Sequence, residues 1–91
     1  MYRVAPTRSF RNGLKKYRHD HAALGELELV LDILMKGQDP PAQYRVHHLK
    51  GKRAYYLECH LKPDLLLIYF KDEKQKVIYL QDIGSHGELF G

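Results

Sequence analysis

An α+β fold is what this sequence predicts, with two N-terminal helices packed on a small, mainly antiparallel sheet in the order β-α-α-β-β-β. Three observations carry that expectation. Apolar residues recur at helical spacing through the first third of the chain. From Arg53 onward the apolar period shortens to two. The chain has 91 residues and shows no linker, internal repeat or low-complexity stretch, so residues 1–91 form one domain.

Tyr2 to Ala5 reads as a short strand, broken by Pro6. Thr7 or Ser9 can then cap a helix. Phe10, Leu14 and Tyr17 share one face of that helix, while Arg11, Lys15 and Arg18 share another that looks outward. Asp20 is a cap for the second helix. Leu24, Leu27, Leu31 and Leu34 line its apolar stripe, which Val30 and Met35 widen. Gly37 ends the helix and Pro40-Pro41 forbid its continuation. Residues 37–52 read as a loop. Arg53–Leu61 reads as a strand, Lys62-Pro63 as a tight reversal and Asp64–Lys71 as a central strand buried on both faces. Asp72–Gln75 turns the chain into a last strand, Lys76–Ile83, which Gly84 breaks.

Fifteen Lys and Arg stand against eleven Asp and Glu, for a net charge of +4. The excess is clustered. Arg3, Arg8, Arg11, Lys15, Lys16 and Arg18 precede any acidic residue, and Arg45, Lys50, Lys52, Arg53 and Lys62 surround Glu58 alone. Such clusters favour a polyanion such as nucleic acid, or an acidic protein. Cys59 is the only cysteine, so an internal disulfide framework is excluded and a reducing, cytoplasmic setting is expected. "MYRVAPTRSF" lacks the apolar run of a signal peptide, and the apolar run Leu65–Phe70 is too short to cross a bilayer, so no membrane association is expected.

The chemistry concentrates in three stretches. In "ECHLKPDLLLIY" strand alternation places Tyr56, Glu58 and His60 on one face, with Tyr55, Leu57 and Cys59 on the other. The reversal then brings Asp64 beside His60. A hydrogen bond between them would orient the ring and raise its pKa, which suits proton transfer near neutral pH. "HHLKGKR" joins His47 and His48 to Lys50, Lys52 and Arg53, and positive charge beside titratable rings suits a phosphodiester. A zinc site built from His47, His48, Cys59 and His60 is disfavoured, since adjacent strand residues face opposite ways; no metal or other cofactor is expected. His19 and His21 read as surface residues. The last strand runs antiparallel to the central one, so "GSHGELFG" should return His86 to His60 and Asp64, with Phe90 just beyond. A cleft of histidines and carboxylates suits RNA cleavage by attack of the ribose 2′-OH, and Phe90 could stack on a base.

"HHLKG", "ECHLKPDLLLIY" and "GSHGELFG" together resemble the YafQ branch of the RelE superfamily, toxins of type II toxin–antitoxin modules. The resemblance spans most of the chain. It implies a RelE-like fold, a metal-free and ribosome-dependent endoribonuclease that cuts mRNA, and inhibition by an antitoxin partner that joins an otherwise monomeric toxin. His47, His60, Asp64 and His86 would be the catalytic set, with His86 the favoured general acid and His60 or Asp64 the base. Glu58, Phe90, Lys50, Lys52 and Arg53 would bind substrate. Leu57 and Asp82 stand where the family commonly carries arginine, and Leu65 where tryptophan is frequent. A cation lost and an anion gained would weaken cleavage unless Lys50, Lys52 or Arg53 compensates. The alternative is a basic RNA- or ribosome-binding domain whose cleavage has decayed. A stand-alone RNase or a metal-binding protein is a third reading.

Overall fold

Strand β1 (Arg3–Pro6) opens the computed structural model, which describes residues 1–91. Pro6 is tolerated in it because β1 lies at the sheet edge, where a missing N–H costs little. Thr7 caps helix α1 (Arg8–Leu14), accepting a hydrogen bond from the Phe10 backbone N–H at 3.1 Å. A 3-10 turn at Lys15–Tyr17 follows. Asp20 caps helix α2 (His21–Met35) through the Ala23 N–H at 3.0 Å. The buried face of α2 centres on Ala23, Leu27, Val30 and Leu34, with Leu24 and Leu31 at its margin. Gly37 and Gln38 then donate back to the carbonyls of Leu34 and Ile33, which closes the helix.

The stretch expected to be a loop holds more structure. It contains a 3-10 turn at Ala42–Tyr44 and a two-residue strand β2 (His47–His48). A second 3-10 turn, Gly51–Arg53, follows. Strand β3 (Leu57–Lys62) begins four residues later than the aromatic-rich pattern suggested. The reason is local. The N–H groups of Ala54 and Tyr56 bond to the carbonyls of Gly51 and Arg53, so they are satisfied in a turn and are not offered to a sheet neighbour.

Strands β4 (Leu65–Asp72) and β5 (Val77–Gly84) complete the sheet, whose order is β1-β5-β4-β3-β2. The pairing is mixed. β1 runs parallel to β5, and the remaining pairs are antiparallel. Two features of the expected order need correction. The sheet gains a fifth strand, β2, in the stretch read as a loop, and the chain ends in a third helix, α3 (His86–Phe90), where only a tail was expected.

Both α1 and α2 cover one face of the sheet. Phe10, Ala23, Leu27, Val30 and Leu34 meet Cys59, Leu67, Tyr69, Ile78, Leu80 and Ile83 there. Gly13 lets α1 lie directly on β5, since a Cβ at that position would sit 2.5 Å from the Ile83 carbonyl oxygen. On the opposite face Glu58 and His60 of β3 stand beside Ile68 and Leu66 of β4. That face is free of α1 and α2 and carries the polar residues described below. Leu65 to Tyr69 are all buried, as expected for a central strand.

Candidate active site

Glu58 is the buried anchor of the site. Only 7 % of it is exposed, and one carboxylate oxygen receives two histidines. His60 Nε2 lies 2.9 Å from Glu58 Oε1, and His47 Nε2 lies 3.3 Å from the same atom. β2 pairing with β3 puts His47 directly opposite Glu58, which is why an exposed two-residue strand reaches a buried carboxylate. The Nδ1 of His47 meets the Arg45 carbonyl at 2.9 Å. Both nitrogens of that ring therefore face acceptors.

Arg45 closes the other side of His60. Its Nη2 lies 3.1 Å from His60 Nδ1. Because a guanidinium only donates, His60 Nδ1 is the acceptor and its proton sits on Nε2, facing Glu58. The ring is thus held neutral. Burial, followed by the charge of Arg45, pulls the His60 pKa below its ordinary 6.5, against the pull of Glu58 in the other direction. Arg45 reaches this position through a left-handed backbone, φ 47 and ψ 49, at the end of the Ala42–Tyr44 turn.

The second pair is His86 with Asp64. The expected bond between Asp64 and His60 does not form; Asp64 turns to the first residue of α3 instead. Asp64 Oδ1 accepts from the His86 backbone N–H at 3.0 Å and meets the ring Nδ1 at 2.7 Å. The expected rise in the His60 pKa is likewise reversed, since burial and the Arg45 guanidinium outweigh the pull of Glu58. The backbone N–H of His86, and then its ring, hold Asp64 below its ordinary 3.8. This pair is open to solvent, so its worth to stability is small and its effect is orientation. With Nδ1 on the carboxylate, Nε2 of His86 is left free.

The rings nevertheless gather as the sequence suggested. His47 and His60 are 5.8 Å apart between centroids, and His60 and His86 are 5.9 Å apart. Phe90 follows at 6.4 Å from His86 and is 47 % exposed. Lys50, Lys52 and Arg53 lie elsewhere. They occupy the exposed turn before β3, near Tyr55 and Tyr56 in the chain, and are not bonded to His47, His60 or His86. Leu57 packs against the core, on the face away from Glu58. Asp82 pairs with Ile68 in the sheet and accepts a hydrogen bond from Ser9 of α1 at 3.0 Å. Leu65 is a core residue.

Two sets of residues escaped sequence reasoning. Arg45 carries no local signal, because its reach depends on one left-handed turn. The support of α3 was legible but unread. Ser85-x-x-Glu88 is a capping box: Ser85 Oγ accepts from the Glu88 N–H at 3.1 Å, and Glu88 Oε1 accepts from the Ser85 N–H at 2.8 Å. Tyr17 donates to the same Glu88 oxygen at 2.6 Å, and Lys16 pairs with Oε2 at 3.4 Å. These contacts hold the Glu88 pKa down at about 2, the Tyr17 bond contributing most. Burial and the Glu88 bond push Tyr17 up to about 12. Gly84 permits the close docking, because a Cβ there would come 3.0 Å from Glu88 Oε1 and 3.1 Å from Leu89 Cδ2.

The geometry also defines which groups could hold a metal. Ligand atoms of His47, Glu58 and His60 all lie within 4.8 Å of one another. His48 turns instead to the Ala54 carbonyl at 2.8 Å. Cys59 lies fully buried on the helix side, where burial pushes its thiol up to about 12, and it takes no part.

A small basic α+β domain with a histidine–carboxylate cleft on the sheet face that α1 and α2 leave open is the class these features define. Residues 2–91 match the family described as bacterial toxin of type II toxin-antitoxin system, YafQ. The mRNA interferase toxin YafQ of Escherichia coli K12 is 29% identical over 83 residues, covering 90% of this chain and 88% of that protein. A metal-bound toxin from Helicobacter pylori is 36% identical, with a TM-score of 0.89 over 99% of this chain and 100% of that one. YafQ in the E. coli DinJ–YafQ complex superposes with a TM-score of 0.87 at 25% identity, covering both chains completely. The chain belongs to the YafQ family of type II toxin–antitoxin toxins.

Proposed function

We propose that this chain is an endoribonuclease that cuts mRNA on the ribosome without a metal, in the cytoplasm, and that an antitoxin silences it. The observation that carries the reading is the pairing of His86 with Asp64 at 2.7 Å beside a neutral, Glu58-supported His60. The E. coli relative is named an mRNA interferase, and its structural counterpart is held in a complex with DinJ.

The chemistry follows from the two pairs. The substrate phosphate draws the Arg45 guanidinium off His60, which frees the Nδ1 lone pair. His60 then takes the 2′-OH proton, and Glu58 at its Nε2 stabilises the imidazolium that forms. The 2′ oxygen attacks phosphorus, and the bond to the 5′ oxygen breaks. His86 Nε2 delivers the proton that the leaving oxygen needs, so the products are a 2′,3′-cyclic phosphate and a 5′-hydroxyl. Each proton transfer is worth ~10²–10⁴ in rate. Arg45 supplies the cation that Leu57 and Asp82 do not, on a phosphate whose charge is growing. His47 positions Glu58 and the Arg45 backbone.

Primer extension on translated message tests this reading. The wild-type chain should create new 5′ ends and arrest growth, and His86→Ala should abolish both. Intact message with ribosome binding retained would instead establish a binding domain whose cleavage has decayed.

A second reading is favoured by one observation, the His47–Glu58–His60 cluster, together with the metal-bound H. pylori relative. On this reading His47 and His60 would hold an ion through nitrogen and Glu58 through oxygen, and the ion's charge on the His60 ring would make that ring a poorer base. Copper should then inhibit cleavage and a chelator should restore it. Cleavage that a chelator abolishes would make the metal a participant.

A further inference from the structure

At the opposite end of the sheet face from His60, four aromatic rings form a continuous band across β4, β5 and the turn that precedes β3. Tyr55 and Tyr56 lie 4.5 Å apart between centroids, Tyr55 meets Phe70 edge-on at 5.5 Å, and Phe70 lies parallel to Tyr79 at 6.2 Å. The register explains the assembly. Phe70 of β4 faces Tyr79 of β5, and Tyr56 precedes β3 on the side of Glu58. Tyr56 also donates to Gln81 at 3.3 Å, which fixes its ring. None of these rings belongs to the core packed under the helices. Tyr55 is 55 % exposed and stands on a contiguous run of rings rather than alone, which is what marks a binding surface.

Two neighbours say what covers it. The first is charge. Tyr55 and Tyr56 emerge from the turn that carries Lys50, Lys52 and Arg53, all exposed, and the Tyr56 N–H is bonded to the Arg53 carbonyl. The second is continuity with the histidines. A cleft of about 900 Å³ is lined by Arg45 and His47 together with Tyr55 and Phe70, and the carboxylates Asp39 and Glu73 also line it. Phe70 lies four residues along β4 from Leu66, the partner of His60, which is roughly 13 Å at strand spacing.

We propose that the Tyr55–Tyr56–Phe70–Tyr79 band is a stacking platform for the bases of the RNA strand that flanks the cleaved bond, with Lys50, Lys52 and Arg53 holding its phosphates. Rings offer faces to any base, and cations track a backbone, which is the pairing that single-stranded nucleic acid requires. Lys50, Lys52 and Arg53 then act at a distance from the cleaved phosphate, which Arg45 serves. This inference rests on the proposed RNA cleavage.

The test is anisotropy with a fluorescein-labelled single-stranded RNA, all proteins carrying His86→Ala so that the RNA stays whole. Adding Tyr55→Ala should weaken binding about tenfold, as the loss of one stacked base does. Tyr55→Phe keeps the ring and should bind like the parent. An abasic nucleotide at the stacked position should weaken the parent and leave Tyr55→Ala unchanged. Lys52→Gln should flatten the salt dependence, by about 0.7 in log–log slope for one phosphate contact. Tyr55 is an exposed turn residue, so these variants should keep the parent's circular dichroism. Equal RNA affinity in the parent and Tyr55→Ala would overturn the inference, and cleavage by the chain with His86 intact would leave the proposed function standing. Weakened antitoxin binding with unchanged RNA affinity would make the band a protein interface and overturn it equally. A chain that cuts no message and binds no RNA would overturn both.

Discussion

His60 shows how one ring's surroundings decide its chemistry. Its Nε2 faces Glu58 and its Nδ1 faces Arg45, so it is neutral and its lone pair is occupied at rest. Its folded pKa lies below the ordinary 6.5, so the unfolded chain binds more protons in the interval between the two values. The stability this supplies is complete above pH 6.5 and is lost as pH falls through the folded value. Urea titrations above and below pH 6.5 should therefore show acid weakening the wild type more than His60→Asn. Arg45→Ala should lower cleavage by ~10², the cost of losing one preorganised donor at a charged transition state. Arg45→Lys should recover part of this, since a lysine brings the charge without the planar fork. Single-turnover rates on programmed ribosomes would check both.

Helix α3 is only five residues long, too short to hold itself together in water, yet it carries the proposed acid. Its order comes from outside. Ser85 and Glu88 close its first turn, and Tyr17 and Lys16 pin Glu88 to the end of the first helical segment. Tyr17→Phe removes a bond that points at the helix bearing His86 but leaves the core untouched. It should lower cleavage about tenfold, as small misplacements of a reacting group do, with thermal unfolding little changed. Glu88→Gln should have a similar effect, and His86→Ala should mask both. The expectation that the tail docks was legible in "GSHGELFG", and so was the capping box, since both are patterns within four residues of each other. What the tail docks on was not legible. Tyr17 and Glu88 are 71 residues apart, and no periodicity connects them. The same reason hid the exchange of partners at Asp64, which lies near His60 in sequence but is captured by the His86 backbone.

Across the whole molecule, the sheet separates stability from chemistry. One face carries α1, α2 and the core, and the other carries the histidines and the aromatic band. Leu67 is fully buried in that core, so Leu67→Ala should cost about 2–5 kcal/mol of stability by denaturant titration. Cys59 lies beside it with its thiol raised to about 12, and should resist alkylation until the chain unfolds. The α+β class, both early helices and the three long strands were readable, because each depends on an apolar period and a cap. The parallel pairing of β1 with β5 was not readable, because strands separated by most of the chain choose neighbours through packing. β2 was hidden for a related reason, since two residues are too few to show a period.

The central claim is that His86, oriented by Asp64, and His60, backed by Glu58, break a message strand together. Mapping message ends by primer extension in a reconstituted translation reaction tests it most directly, with wild type, His60→Ala and His86→Ala side by side. The wild type should leave defined new 5′ ends bearing a hydroxyl, and each substitution should reduce them by two or more orders of magnitude, ~10²–10⁴. Undiminished ends with either alanine variant would contradict the claim.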